Sequence, residues 1–423
     1  MSPTFEHSTA EWQALDAAHF LHPFTDFKAL AAKGTRVITK ADNIYLWDSE
    51  GHKLFDAMSG LWCVNVGYGQ KALIDAATEQ LTTLPFYNSF FQTTTMPAIA
   101  LAHKLSQLSP PGFEHVFFSG SGSEGNDTVV RLVRRYWDLL GQPQRHTLIS
   151  RFNAYHGSTM AGASLGGMTD MHAQGGLPIP GIVHIDQPYY VQHGRPGESK
   201  DDFGKRAASW LEAKILEVGP DKVAAFIGEP VQGAGGVIIP PETYWPEIQR
   251  ICDQYGILLV SDEVICGFGR TGHWFGCERF GYKPDLITFA KGVTSGYIPL
   301  GGVLVGERVA KVLIEQGSKI TKEHINNDSG AIITYSGAGN KPEWVTPPLV
   351  QPEIYEHLRM LIQQMYQTSG VSQLSASSLK PAGLDSGRAL REFQDIGTDR
   401  FRMLGHQYEQ FYMDDAKQSI AVA

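Results

Sequence analysis

The 423-residue chain is poor in cysteine, with four in all. Cys63, Cys252, Cys266 and Cys277 form no CxxC pair. That excludes a disulfide framework or thiolate metal centre as an expectation and makes a reduced compartment, the cytoplasm, the default. The 15 histidines contain no HxxxH or Cys/His ligand spacing, so no metal site is inferred. Positive charge is also scarce. Lys and Arg total 35 against 44 Asp and Glu, a net charge of -9, which argues against nucleic acid as a partner. No apolar run approaches the roughly 18 residues of a membrane span, and the first residues lack a basic-then-apolar signal pattern. Neither a Walker loop nor a GxGxxG fingerprint is present. The rest is ordinary: 42% hydrophobic, 19% charged, and long enough for two or three domains with a large core.

Local patterns give the organisation. Residues 1–34 carry apolar side chains in a helical rhythm. Residues 36–40, 44–48 and 53–57 then read as a small β-meander, with Asp48-Ser49-Glu50-Gly51 as one of its turns. Helices are predicted over about 70–83 and 95–108, with a dense aromatic loop between them at 86–91. From 112 to 302 strands alternate with helices, which predicts an α/β domain around a mainly parallel sheet. A Pro/Gly-rich stretch at 175–200 reads as a loop. We divide the chain into an N-terminal segment with its meander (1–57), a large domain (58–315) and a mostly helical C-terminal segment (316–423).

Polar residues collect where apolar runs end. The run 284–290 stops at Lys291 and the run 258–261 stops at Asp262. An amine and a carboxylate aimed at one small molecule suit pyridoxal phosphate (PLP), whose aldehyde condenses with an amine and whose ring nitrogen needs a carboxylate. On these two residues alone, a snorkelling lysine beside an N-capping aspartate is an equal reading. The segment Ser119-Gly120-Ser121-Gly122-Ser123 lies between a strand and a helix, where backbone N–H groups cradle phosphate. Tyr155 and Glu229 also sit at strand ends. In parallel sheets the site lies at the carboxyl ends of the strands, and the convergence of five such residues there is more specific than any one motif.

From about residue 12 to 313 the chain resembles the class III (ω-) aminotransferases, PLP enzymes of fold type I, in their amine–pyruvate branch. The resemblance rests on LWCVNVGYG (61–69), LPFYNSFFQT (84–93), FFSGSGSE (117–124), YHGSTMAGASLGGM (155–168), EPVQGAGGV (229–237), DEVICGFGRTG (262–272) and AKGVTSGYIPLGG (290–302). It implies that Lys291 holds PLP and moves the proton in catalysis, that Asp262 pairs with the ring nitrogen, and that Val264 and Tyr155 sandwich the ring. By the same resemblance Ser121, Gly122 and Ser123 bind the phosphate, His156 and Glu229 complete the cofactor site, and Phe24, Trp62, Phe90 and Tyr155 line the amine pocket. The implied reaction is transamination from a primary amine or ω-amino acid, putrescine-like, to pyruvate or another 2-oxo acid, by a homodimer.

The likeness weakens after about residue 317. Thr334-Tyr335-Ser336-Gly337 repeats four letters of a family motif whose Thr reaches the neighbouring subunit's PLP phosphate, but Ala338-Gly339 stands where that motif has His-Pro. The family's carboxylate-binding arginine has no recognisable counterpart. Residues 367–395 resemble the core of tailed-phage portal proteins, which implies a composite chain with an oligomerising tail. An impaired, non-catalytic PLP scaffold and a PLP aminomutase are the alternatives that follow.

Overall fold

In the computed structural model the chain divides into one unit of residues 1–325 and another of 326–423. The structure describes residues 7–316 and the isolated positions Met360, Leu361 and Gln364. Thr334 and the portal-like stretch lie outside the described residues.

Three short strands come first, β1 (Ile38–Asp42), β2 (Tyr45–Asp48) and β3 (Lys53–Phe55), paired antiparallel in that order. This is the meander read from the sequence. Before it stand helices Thr9–His19 and Phe27–Lys33. The first opens with a reciprocal Ser8/Glu11 capping box and the second with an Asp26 cap. Helices Lys71–Thr83 and Met96–Leu108 follow.

The large domain is a seven-stranded sheet built from β4 (His115–Ser119), β5 (Thr147–Arg151), β6 (Ile182–Ile185), β7 (Val223–Gly228), β8 (Leu258–Asp262), β9 (Leu286–Phe289) and β10 (Gly301–Val305). Its spatial order is β4-β10-β9-β8-β7-β5-β6. Only β10 runs against its neighbours; β9, β8, β7, β5 and β6 pair in parallel. Strand β6 lies inside the stretch read as a loop. Its four residues are too few to show a period, and the Gly and Pro around them hide a strand at the sheet edge.

Successive strand residues point to opposite faces, so each strand feeds two cores. Ile149, Phe226, Leu259, Ile287 and Leu304 face helices Lys200–Val218 and Tyr244–Tyr255. Their neighbours Leu148, Ala225, Leu258, Leu286 and Val303 face the Gly122–Leu139 helix. Strands covered on both faces are mainly apolar, and every residue of β5, β7, β8, β9 and β10 is buried, including the polar Thr147, Ser150, Arg151, Ser261, Asp262 and Thr288. All four cysteines are free thiols. Among the described residues no helix is long and apolar enough to cross a membrane.

Candidate active site

A cavity of about 390 Å³ opens at the carboxyl ends of the parallel strands, within the range of small-molecule sites. Ser121, Gly122, Ser123, Tyr155, His156, Glu229, Asp262, Val264 and Lys291 all line it. Residues up to 170 positions apart in sequence (121 to 291) thus meet because several strands of the sheet end at, or one or two residues before, the same rim.

Lys291 follows β9 by two residues. Its φ is +52°, a left-handed conformation that costs a non-glycine residue about 1–2 kcal/mol. This turn swings the side chain out of the strand line and into the cavity. The next position is tightly packed: a Cβ on Gly292 would sit 2.6 Å from Asn65 Nδ2 and 3.1 Å from Phe268 Cβ, so a larger residue there would displace the Asn65 side chain. Burial holds the Lys291 amine below the ordinary lysine range, which favours its neutral, nucleophilic form. The amine nitrogen lies 5.5 Å from the centre of the Trp62 ring.

Asp262 ends β8 and is 2% exposed. Its Oδ2 accepts from Asn126 Nδ2 at 2.8 Å and sits 2.7 Å from His156 Nδ1, while Oδ1 accepts from Val264 N at 3.1 Å. Both oxygens of this buried carboxylate are thus met by polar partners within the protein. The sequence motifs do not single out Asn126. It also donates to His156 O and accepts from Thr288 Oγ1, both at 2.8 Å. The available signal is its spacing: four residues after Gly122, it lies on the same helix face as the cavity-lining turn.

Ser121 caps the Gly122–Leu139 helix, its Oγ accepting from Glu124 N at 3.2 Å. The first N–H groups of a helix have no partner within it and carry its positive end. Gly122 lets Val264 come close, since a Cβ there would lie 2.7 Å from Val264 Cγ2. Ser123 Oγ accepts from Ser158 N at 3.2 Å, fixing the segment after Tyr155 to this turn.

Glu229 is 3% exposed and accepts from Tyr155 N at 3.1 Å and Gly233 N at 2.8 Å. Burial raises its pKa, and the nearby Asp262 charge adds to the rise. Burial also raises the Tyr155 hydroxyl. The Phe24 ring meets Tyr155 edge-on at 5.7 Å. Phe90 does not join this cluster; it is exposed and its ring meets Phe91 at 6.2 Å.

These groups fit pyridoxal phosphate on the chemistry of the donor set: an amine at one side, a buried carboxylate at another, and unpartnered helix N–H groups at a third. The comparisons with known proteins agree. The family model for class-III aminotransferases matches residues 29–324. Putrescine–pyruvate aminotransferase of Pseudomonas aeruginosa is 60% identical over 310 residues, covering 73% of this chain and 68% of that one. Vanillin aminotransferase of Capsicum chinense is 46% identical over 285 residues, covering 67% of this chain and 62% of that one. The solved (S)-enantioselective omega-transaminase from Thermomicrobium roseum superposes with a TM-score of 0.70 at 44% identity, over 73% of this chain and 68% of that one. The omega transaminase from Pseudomonas jessenii, solved in complex with PMP, gives 0.71 at 43%, over 72% and 68%. The match thus spans about two thirds of these relatives' lengths, and by it the chain belongs to the class-III aminotransferases, PLP-dependent transferases of fold type I.

Proposed function

We propose that the chain moves an amino group from a primary amine or ω-amino acid, putrescine-like, to pyruvate, and that it works as a homodimer in the cytoplasm. The observation that carries this reading is the meeting of Lys291, Asp262 and the first turn of the Gly122–Leu139 helix in one cavity. The 60% identity to a putrescine–pyruvate aminotransferase supports the amine and the acceptor. The exposed apolar side chains of residues 7–108, among them Leu81, Phe86 and Phe91, support a second copy as cover.

Bound pyridoxal phosphate supplies an electron sink for the electrons of a broken C–H bond. The chain's own residues do the rest. The Lys291 amine, its pKa lowered by burial, would take the proton from the substrate carbon and deliver it to the cofactor carbon on the far side of the shared nitrogen. The Asp262 carboxylate, pinned by Asn126, His156 and Val264, would pair with the ring nitrogen. Tyr155 and Val264 would flank the ring, and the N–H groups at Gly122 and Ser123 would take the phosphate. Trp62 and Phe24 narrow the approach for the amine.

A second reading rests on the family match ending at residue 324. There the 316–423 remainder, portal-like in sequence, leaves a scaffold that takes the cofactor without turning over. Absorbance separates the two. Protein reconstituted with PLP is expected to show a visible cofactor band that Lys291→Ala loses, that putrescine bleaches and that pyruvate restores with release of alanine. A band indifferent to putrescine and pyruvate selects the second reading, and a parent protein with no band overturns both.

A further inference from the structure

Arg151 is the last residue of β5 and is 0% exposed. Guanidinium stays protonated at all ordinary pH, so a full positive charge lies inside the domain. Among the described residues no carboxylate is within ion-pair distance of it, and its Nε and Nη1 have no hydrogen-bond partner. It is held by aromatic faces, with the Tyr244 ring at 5.9 Å and the Trp245 ring at 5.4 Å, and by one hydrogen bond, Nη2 to Glu229 O at 2.5 Å. Room is made for it at Gly228, where a Cβ would stand 3.0 Å from Nη2 and 3.1 Å from Trp245.

The hydrogen bond has a reciprocal. Arg151 in β5 reaches across to the main chain of Glu229, just beyond β7. The Glu229 carboxylate reaches back to Tyr155 N, four residues beyond Arg151. The two strand ends are therefore tied twice, once by a cation on a carbonyl and once by an anion on an amide. We propose that Arg151 is a positioning residue for this site: it fixes the Glu229 peptide and, through it, the carboxylate that holds Tyr155 N. The proposal rests on the aminotransferase reading for its functional readouts only; the tie between the two strand ends stands apart from it.

The test is a double-mutant cycle in PLP-loaded protein with Arg151→Met, Arg151→Lys and Glu229→Gln. The readouts are the PLP dissociation constant from absorbance titration, and kcat and KM for putrescine. Arg151→Met is expected to weaken PLP and lower kcat by about 10-fold and to leave KM within about 2-fold, and Arg151→Lys, which keeps a donor for the Glu229 carbonyl, restores part of both. In the cycle Arg151→Met adds little once Glu229→Gln is present, a coupling of about 10-fold. Independent, additive effects overturn the proposal, as does an Arg151→Met protein that loses only unfolding stability. If Arg151→Met does not fold, the Arg151→Lys and Glu229→Gln cycle on PLP affinity decides between coupled and additive effects in the same way. PLP affinity reads the coupling even if the parent proves unable to transaminate, so failure of the function and failure of this inference are distinct results.

Discussion

Strand β7 buries all six of its residues, whereas the 13-residue Lys71–Thr83 helix buries none. The contrast extends to whole regions. Among residues 7–108 only Asp48, Gly67 and Leu105 are buried, while the sheet strands from β5 to β10 are enclosed almost completely. Both regions have apolar side chains in proper periods. Helices of 11 to 13 residues are marginal in water without a packed face, so capping at Ser8 and Asp26 starts helices that local forces alone do not sustain. Periodicity thus says which face of an element wants cover, and the sheet domain finds that cover within one chain. Residues 7–108 present theirs outward, Phe91 at 93% exposure being the extreme.

The comparison can be broken most sharply by truncating one residue on each side. Phe226→Ala is expected to cost about 3–5 kcal/mol, because the cavity it leaves is walled by other buried side chains. Leu81→Ala is expected to change single-chain stability by less than about 0.5 kcal/mol. Urea midpoints at low protein concentration check both, and equal losses would abolish the distinction.

A second difference lies in titration. Glu263 is wholly buried, and burial lifts its pKa from 4.5 to about 7 despite N–H donors from Gly276 and Cys277. Between these values the unfolded chain has released the proton and the folded chain retains it. Stability from this group is therefore full below about pH 4.5 and is lost as pH rises toward 7. Unfolding midpoints across this window are expected to show a decline of roughly 2–3 kcal/mol from this residue, and Glu263→Gln is expected to flatten it.

On the exposed side, Ile74→Asp with Leu81→Asp is expected to weaken self-association by about 10-fold or more, with the sheet domain's unfolding unchanged. Sedimentation velocity over a concentration series reads this, and an unaltered profile would remove that helix from the proposed dimer face. The smallest effect belongs to Asp26→Ala. Losing the cap on Lys28 N and Ala29 N is expected to cost about 1 kcal/mol, seen as faster amide exchange over Phe27–Lys33 and nowhere in the sheet.

Much of the fold, and most of the polar residues that line the cavity, were legible in the sequence, for a physical reason. Strands buried on both faces are mainly apolar, so a polar residue at the end of such a run stands out, as Lys291, Asp262 and Glu229 do. Asn126 escaped because one polar residue inside an amphipathic helix looks like its solvated face until the partner strand is known. Strand β6 escaped because four residues hold too little pattern. Which apolar faces go uncovered could not be read at all, since amphipathicity carries no address for its partner. Phe24 and Phe90 illustrate this: both are exposed aromatic residues, yet one ring reaches Tyr155 and the other stays with Phe91.

The antiparallel strand β10 sets a schedule. It is the sole strand neighbour of β4, and their paired residues run from Ser119 with Gly301 to His115 with Val305. The turn carried on the end of β4 therefore waits for some 180 further residues (119 to 301) before its strand can join the sheet. At ribosomal speeds of about 5–20 residues per second that is roughly 10–40 s. During synthesis the lysine end and the phosphate end of the site come into being together, when the last strand slides between the first and the rest.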